Sequence, residues 1–189
     1  MKLAYKNLGF TLAETIVAIG LLALLVLLVL SVFMLAQKAY WQNDNRAELI
    51  QNGRVILDRL ERELRQASDI VTEIPPDDSN SLLIPHEIIF QDGHDSTTIH
   101  YLRYYLNGQN LKRQIIAYYF SESPNTYVKH DSVDIYSNPP QKLILEDNIV
   151  GEYLDNISFY GNDIIYIFLQ LSNKNKQINL LTGFYARNL

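Results

Sequence analysis

The chain has 189 residues, no cysteine and a formal net charge of -5 at pH 7. That length suits one globular unit of moderate size beside an apolar run near the start, and the absence of cysteine excludes both a disulfide scaffold and a thiolate metal site. The acidic balance, which deepens once Lys2 and Lys6 are set aside, argues against nucleic-acid binding by bulk charge and leaves only a local basic patch as a route to it.

The first element in chain order is the stretch "KNLGFTLAETIVAIGLLALLVLLVLSVFMLA", Lys6 to Ala36. From Thr15 to Ala36 there are 22 residues without a charge, about 33 Å of helix at ~1.5 Å per residue, enough to cross a hydrocarbon core of ~30 Å. A cleavable secretory signal has a shorter apolar core, about 7 to 15 residues, so this run is expected to stay on the mature protein. Glu14 is the one acid inside it. A carboxylate within a bilayer costs up to about 2.5 to 3.5 kcal/mol on insertion scales, less near the boundary, which makes Glu14 a candidate functional residue. Charge does not decide the orientation, because Lys2 and Lys6 on one side face Lys38, Arg46 and Arg54 on the other.

Nothing from Gln37 to Ser68 breaks the helix except Gly53, a tolerable cost of about 1 kcal/mol. Across this stretch Tyr40, Ala47, Ile50, Leu57, Leu60, Leu64 and Ala67 recur at steps of three, four or seven and predict one apolar stripe. Asp58 with Arg62 and Glu61 with Arg65 are acid-first pairs four apart on the solvated side. The expected helix is therefore transmembrane in its first half and amphipathic in its second.

Pro75 and Pro76 cannot continue a helix, and the alternation of Ile70, Thr72 and Ile74 predicts an extended segment after Ser68, followed by the loop "PPDDSNS". Beyond it the runs "IPHEIIF", "TTIHYLRYYL", "LKRQIIAYYF", "ISFY", "IIYIFLQL" and "INLLTGFYA" are rich in β-branched and aromatic residues and predict strands. Asn107-Gly108 and "SNKNK" predict two antiparallel hairpins. The stretch Ser121 to Gln141, with Pro124, Pro139 and Pro140, is expected to be a long irregular connection, and "KLILEDNIVGEYLDN" one short helical or extended piece. An amphipathic helix needs an apolar surface and an antiparallel sheet with one buried face supplies it, so the fold class is α+β: one long N-terminal helix packed on antiparallel β-sheet.

"GFTLAE", Gly9 to Glu14, preceded by a short basic leader and followed by the apolar run, resembles the processing and methylation motif of type IV prepilins and pseudopilins. The resemblance implies cleavage after Gly9 by a prepilin peptidase, N-methylation of Phe10, and a mature chain that begins there. It also implies an inner-membrane helix with the globular part outside the cytoplasm, drawn later into a filament. In that family the acid at the position of Glu14 pairs with the charged amino terminus of a neighbouring subunit and sets axial register. The implied organisation is a leader over 1–9, a transmembrane and filament-core helix over 10–36, its amphipathic continuation over 37–69 and a β-rich domain over 70–189.

"NGRVILDRLERELRQAS", "YYLNGQNLKRQI", "ILEDNI" and the terminal "ARN" are similar to the J-type minor pseudopilins of type II secretion and the W-type minor pilins. That likeness implies a low-abundance subunit at or near a filament tip. Its partners would be other minor and major pilins or pseudopilins and an inner-membrane assembly platform, with membrane lipid around the helix before assembly. Nucleic acid would be a partner only in a competence pilus. Ser31 stands where many pilins carry a kink-forming proline, which predicts a straighter helix.

No cofactor and no metal site is expected. His86, His94, His100 and His130 are scattered, "HEII" lacks the second histidine of a zinc helix, and "PDDSN" and "DGHDS" match no calcium-loop spacing, although some pseudopilins bind calcium. No phosphate loop, nucleophile elbow or cysteine nucleophile is present, so catalysis is not expected. Arg103, Lys112 and Arg113 with Tyr101, Tyr104 and Tyr105 offer a basic aromatic patch, but strand alternation distributes them over both faces. The rival reading is a signal-anchored extracytoplasmic binding domain that never assembles.

Overall fold

The computed structural model describes residues 11–80, 82–94, 98–174 and 176–185, apart from the side chains of Gln42 and Asn45. Helix α1 covers Leu12–Gln66 and is followed by strands β1 (Asp69–Ile70), β2 (Glu87–Gln91), β3 (Tyr101–Asn107), β4 (Asn110–Phe120) and β5 (Ser123–Val128). Strands β6 (Gln141–Gly151), β7 (Leu154–Tyr160), β8 (Ile164–Asn173) and β9 (Lys176–Tyr185) complete an α+β fold whose pairings are all antiparallel. The chain divides into two units, one ending at Asp44 and one beginning at Asn45.

In the first unit α1 is apolar and every described side chain from Thr11 to Trp41 is exposed. It is the one helix among the described residues long and apolar enough to cross a membrane. Ser31 does not interrupt it, since its hydroxyl donates to the Leu27 carbonyl one turn back at 2.8 Å.

In the second unit the strands form two sheets. The first is six-stranded in the order β1-β2-β3-β4-β5, with β6 also paired to β4, and the second is β7-β8-β9. The part of α1 from Leu49 to Leu64 packs on both, joining Phe90, Leu102 and Tyr104 of the first sheet with Phe159, Ile167 and Leu169 of the second. Each of these buried aliphatic and aromatic side chains stabilises the unit by roughly 1.5 to 3 kcal/mol relative to exposure.

The buried stripe of α1 matches the predicted one at Leu57, Leu60, Leu64 and Ala67 and departs from it upstream. It runs through Leu49, Gly53, Ile56, Leu57, Leu60 and Leu64 to Ala67 just past the helix end, whereas Tyr40 and Ala47 are exposed and Ile50 is only half-buried. The reason lies at Gly53, where a Cβ would stand 2.3 Å from Leu180 Cδ1. The helix passes close to the Leu180 side chain at this glycine, and its neighbours at steps of three and four turn inward with it. Glu61 and Arg65 form an ion pair at 2.6 Å, but Asp58 and Arg62 do not, and Arg59 pairs with Glu63 instead at 3.3 Å.

The β3–β4 hairpin is one residue away from the expected turn. Asn107 still pairs with Asn110 in the ladder, so the loop is Gly108-Gln109, with Gly108 at a φ of 62°. A positive φ at the first loop position alone is the pattern of a type II′ turn, which favours glycine there. The second hairpin joins β8 to β9, with Asn173 still paired to Lys176 and Lys174 at a φ of 55°. The stretch from Ser121 to Gln141 is not wholly irregular, because β5 lies inside it and pairs β4 at Tyr118↔Val128 and Tyr119↔Tyr127. Pro124 is accommodated since β5 pairs on one side only and the register shifts beside Phe120, where no ladder donor is needed. "KLILEDNIVG" is extended and supplies most of β6.

Candidate functional site

The N-terminal site begins with the helix start itself. Thr11 is the N-cap of α1 and Glu14 its third residue, the T-x-x-E spacing of a capping box. Thr11 N–H donates to Glu14 Oε2 at 2.9 Å, Glu14 N–H donates to Thr11 Oγ1 at 3.3 Å, and the Thr11 hydroxyl also donates to Glu14 Oε2 at 2.9 Å. Sequence reasoning singled out Glu14 for its charge and missed this local role, although "TLAE" spells the motif. Gly9 and Phe10, the proposed cleavage and methylation residues, lie outside the described residues, as do the leader and the terminal "ARN".

In the second unit the principal polar cluster joins helix to sheet. Glu63 stands seven residues after Ile56 and three after Leu60, which puts it against the sheet. Its carboxylate accepts from Tyr104 Oη at 2.7 Å and from Arg113 Nε at 3.0 Å, and both the Glu63 and Arg113 side chains are only 14% exposed. Burial, followed by the Glu63 charge, holds the Tyr104 hydroxyl well above its ordinary pKa. Burial opposes the Arg113 charge, but the Glu63 carboxylate outweighs it and holds the guanidinium above its usual value.

On the opposite face of the sheet Arg103 pairs with Glu87 and lies 4.3 Å from the Tyr105 ring centroid, while Lys112 pairs with Asp147 at 3.2 Å. The basic aromatic patch is thus divided between two faces. Register sets Tyr104 opposite Arg113 and Tyr105 opposite Lys112, and each of the three cations is held by an acid. Tyr101 is buried and accepts from the His130 backbone N–H at 3.1 Å.

Asp147 collects Gln114 Nε2 at 3.1 Å, Lys112 and Tyr105 Oη. These hydrogen bonds, Gln114's first, hold its carboxyl below the ordinary aspartate value. A carboxylate with a lowered folded pKa stabilises the fold above its unfolded pKa, and that contribution disappears as pH falls through the folded value. Asp147→Asn is therefore expected to lower stability at pH 7, where the carboxylate's contribution is present, and to differ less and less from the parent as pH falls through the folded value. Urea titrations from pH 7 down to pH 3 measure both.

The histidines stay apart. His86 Nδ1 meets the Ile157 carbonyl at 3.0 Å, His100 packs against Tyr127, and His130 against Tyr101. Among the described residues no three histidine or acidic side chains gather as a metal site. Asp77 is occupied by Ser79, and Asp134 binds the backbone N–H groups of Tyr136 and Asn138, so both acids close local turns. No known protein family, characterised protein or solved structure matches this chain.

Proposed function

We propose that this chain is a minor pilin or pseudopilin: a non-enzymatic filament subunit, at or near the tip, that aids initiation of a type II secretion pseudopilus, a type IV pilus or a competence pilus. The observation that carries the reading is the junction of "GFTLAE" with the start of α1, where one acid opens an otherwise apolar membrane-length helix. Prepilin peptidase cuts after Gly9 and methylates Phe10, leaving the helix in the inner membrane and the sheet domain outside the cytoplasm. Assembly then moves the helix from lipid into a bundle of its kind. Exchanging lipid contacts for helix contacts brings little hydrophobic gain, so packing and the pairing of Glu14 with a neighbour's amino terminus supply the specificity. The sheet domain makes the lateral contacts to other minor and major subunits and to the assembly platform.

One observation favours the rival, a signal-anchored binding domain that does not assemble. Glu14 already has hydrogen-bond partners in Thr11, so a capping role accounts for it without a neighbour. Intact-mass and N-terminal peptide analysis of protein made with and without prepilin peptidase separates the two. The expected result is a chain beginning at methylated Phe10 only when the peptidase is present. An uncut chain in both samples would remove the filament reading and leave the anchored domain.

A further inference from the structure

Trp41 is the one tryptophan of the chain, and it stands beside Tyr40 where α1 ceases to be apolar. The uncharged run ends at Ala36, Gln37 and Lys38 follow, and the two aromatic residues come four and five positions after Ala36. Neither joins the packed stripe, which begins at Leu49, and Tyr40 is 68% and Trp41 58% exposed. Their rings meet edge to face, with centroids 6.2 Å apart and planes at 81°, and each is the other's one ring contact among the described residues. Lys38 lies three positions before Trp41, on the same side of the helix, and has no ion-pair partner among the described residues.

Indole and phenol each combine an apolar body with one N–H or O–H donor. Such rings collect at the headgroup level of a bilayer, where both ends are satisfied. A lysine beside them runs its apolar stem through that layer and sets its ammonium among lipid phosphates. The distances agree with that seat. A hydrocarbon core of ~30 Å in a bilayer of ~40 to 45 Å leaves a headgroup layer of about 5 to 8 Å on each side, and four to five residues of helix past Ala36 rise about 6 to 8 Å. Glu14 and Trp41 are 27 positions apart, about 40 Å of helix, the span from one headgroup layer to the other.

We infer that Tyr40, Trp41 and Lys38 form an interfacial anchor that binds the headgroup layer of a phospholipid bilayer and fixes how deep α1 sits in it. With the anchor seated, Glu14 lies at the opposite headgroup layer, where its carboxylate stays hydrated until the helix is moved. The apolar run alone does not set this depth, because its ~33 Å exceeds the ~30 Å core and leaves the helix room to slide or tilt. Lipid fits the pair better than a protein partner does, since both rings and Lys38 stand within one headgroup layer of the end of the apolar run. The anchor rests on the membrane placement proposed above for α1, which the filament subunit and the anchored domain share, and it needs no assembly.

As the sole tryptophan, Trp41 reports its own depth. In vesicles of phosphatidylcholine and phosphatidylglycerol, lipid brominated near the headgroup end of the acyl chain is expected to quench its fluorescence several-fold more than lipid brominated near the terminal methyl, and aqueous iodide little. The absence of cysteine allows a second readout. Leu35→Cys should react slowly with a membrane-impermeant maleimide, and several-fold faster once Tyr40→Gln and Trp41→Gln are added, because glutamine keeps the helix and loses the anchor. Exchanging the rings, Tyr40→Trp with Trp41→Tyr, should keep the slow rate. Quenching by iodide alone would place Trp41 in water, quenching by neither agent would place it against protein, and an unchanged Leu35→Cys rate in the glutamine variant would leave depth to the apolar run. Each of these overturns the anchor while the chain still resists extraction by alkaline carbonate. A chain that carbonate washes from the vesicles would instead overturn the membrane placement of α1, and the anchor with it.

Discussion

Arg113→Met is expected to destabilise the second unit by about 2 to 3 kcal/mol, below the ~3 to 5 kcal/mol of a fully buried broken pair because of the residual exposure at the site. Methionine keeps most of the stem packing of arginine, so the loss reports charge and hydrogen bonding rather than a cavity. What remains is the Glu63 carboxylate, facing the sheet from a helix stripe otherwise made of Ile56, Leu60 and Leu64, with Tyr104 still donating to it and Arg59 at its margin. Removing the acid and the Tyr104 hydroxyl as well should return most of the stability. Glu63→Met/Tyr104→Phe/Arg113→Met is expected within about 1 kcal/mol of the parent, since apolar replacement of a whole buried cluster is often neutral or stabilising. Glu63→Met/Arg113→Met alone would strand the buried Tyr104 hydroxyl. Urea denaturation of the full chain in mild detergent, followed by near-UV circular dichroism of the tyrosines, measures both changes. An Arg113→Met variant as stable as the parent would show that the Glu63–Arg113 contact carries no weight in joining helix to sheet.

That cluster also marks the boundary of what the amino-acid sequence discloses. The apolar run, the strands β2, β3, β4, β7, β8 and β9 and the Asn107-Gly108 turn are written locally, in composition and period, and they stand in the structure with ends shifted by a few residues. Glu63 is different, because its partners Tyr104 and Arg113 are 41 and 50 positions away and only the folded sheet brings them under the helix. The upstream part of the helix stripe was misplaced for a related reason, while Leu57, Leu60, Leu64 and Ala67 are buried as expected. Gly53 looks like a weak point in a helix read alone, and its use becomes visible only when Leu180 occupies the space beside it. β5 was hidden by Pro124, which reads as a breaker unless one knows that the strand pairs on one side only. Alternation did foretell that the basic and aromatic side chains divide between two faces, but not that Glu87, Glu63 and Asp147 take up the three cations. At the helix start the opposite holds, since Thr11 and Glu14 are three residues apart and the capping box was readable from "TLAE".

Glu14→Gln is expected to abolish recruitment into filaments while leaving cleavage after Gly9 intact, and it is more informative than Glu14→Ala. Glutamine at the third helical position still accepts from the Thr11 N–H, so it preserves the capping box, whereas alanine loses the cap and the charge together. Thr11→Ala removes the hydroxyl half of the cap, at about 1 kcal/mol of helix stability, and leaves the carboxylate free to seek another donor. If a neighbour's charged amino terminus is the partner that matters, both Glu14 variants fail to assemble and Thr11→Ala assembles near normally, because an unpaired amino terminus in an apolar bundle is costly whatever caps the helix. If Glu14 serves only its own helix, Glu14→Gln behaves like the parent while Glu14→Ala and Thr11→Ala share a mild defect. Copurification of each processed variant with filament subunits, normalised to the amount of mature chain in the membrane, distinguishes these patterns. Normal assembly of Glu14→Gln would end the pairing mechanism even if cleavage at Gly9 had been confirmed.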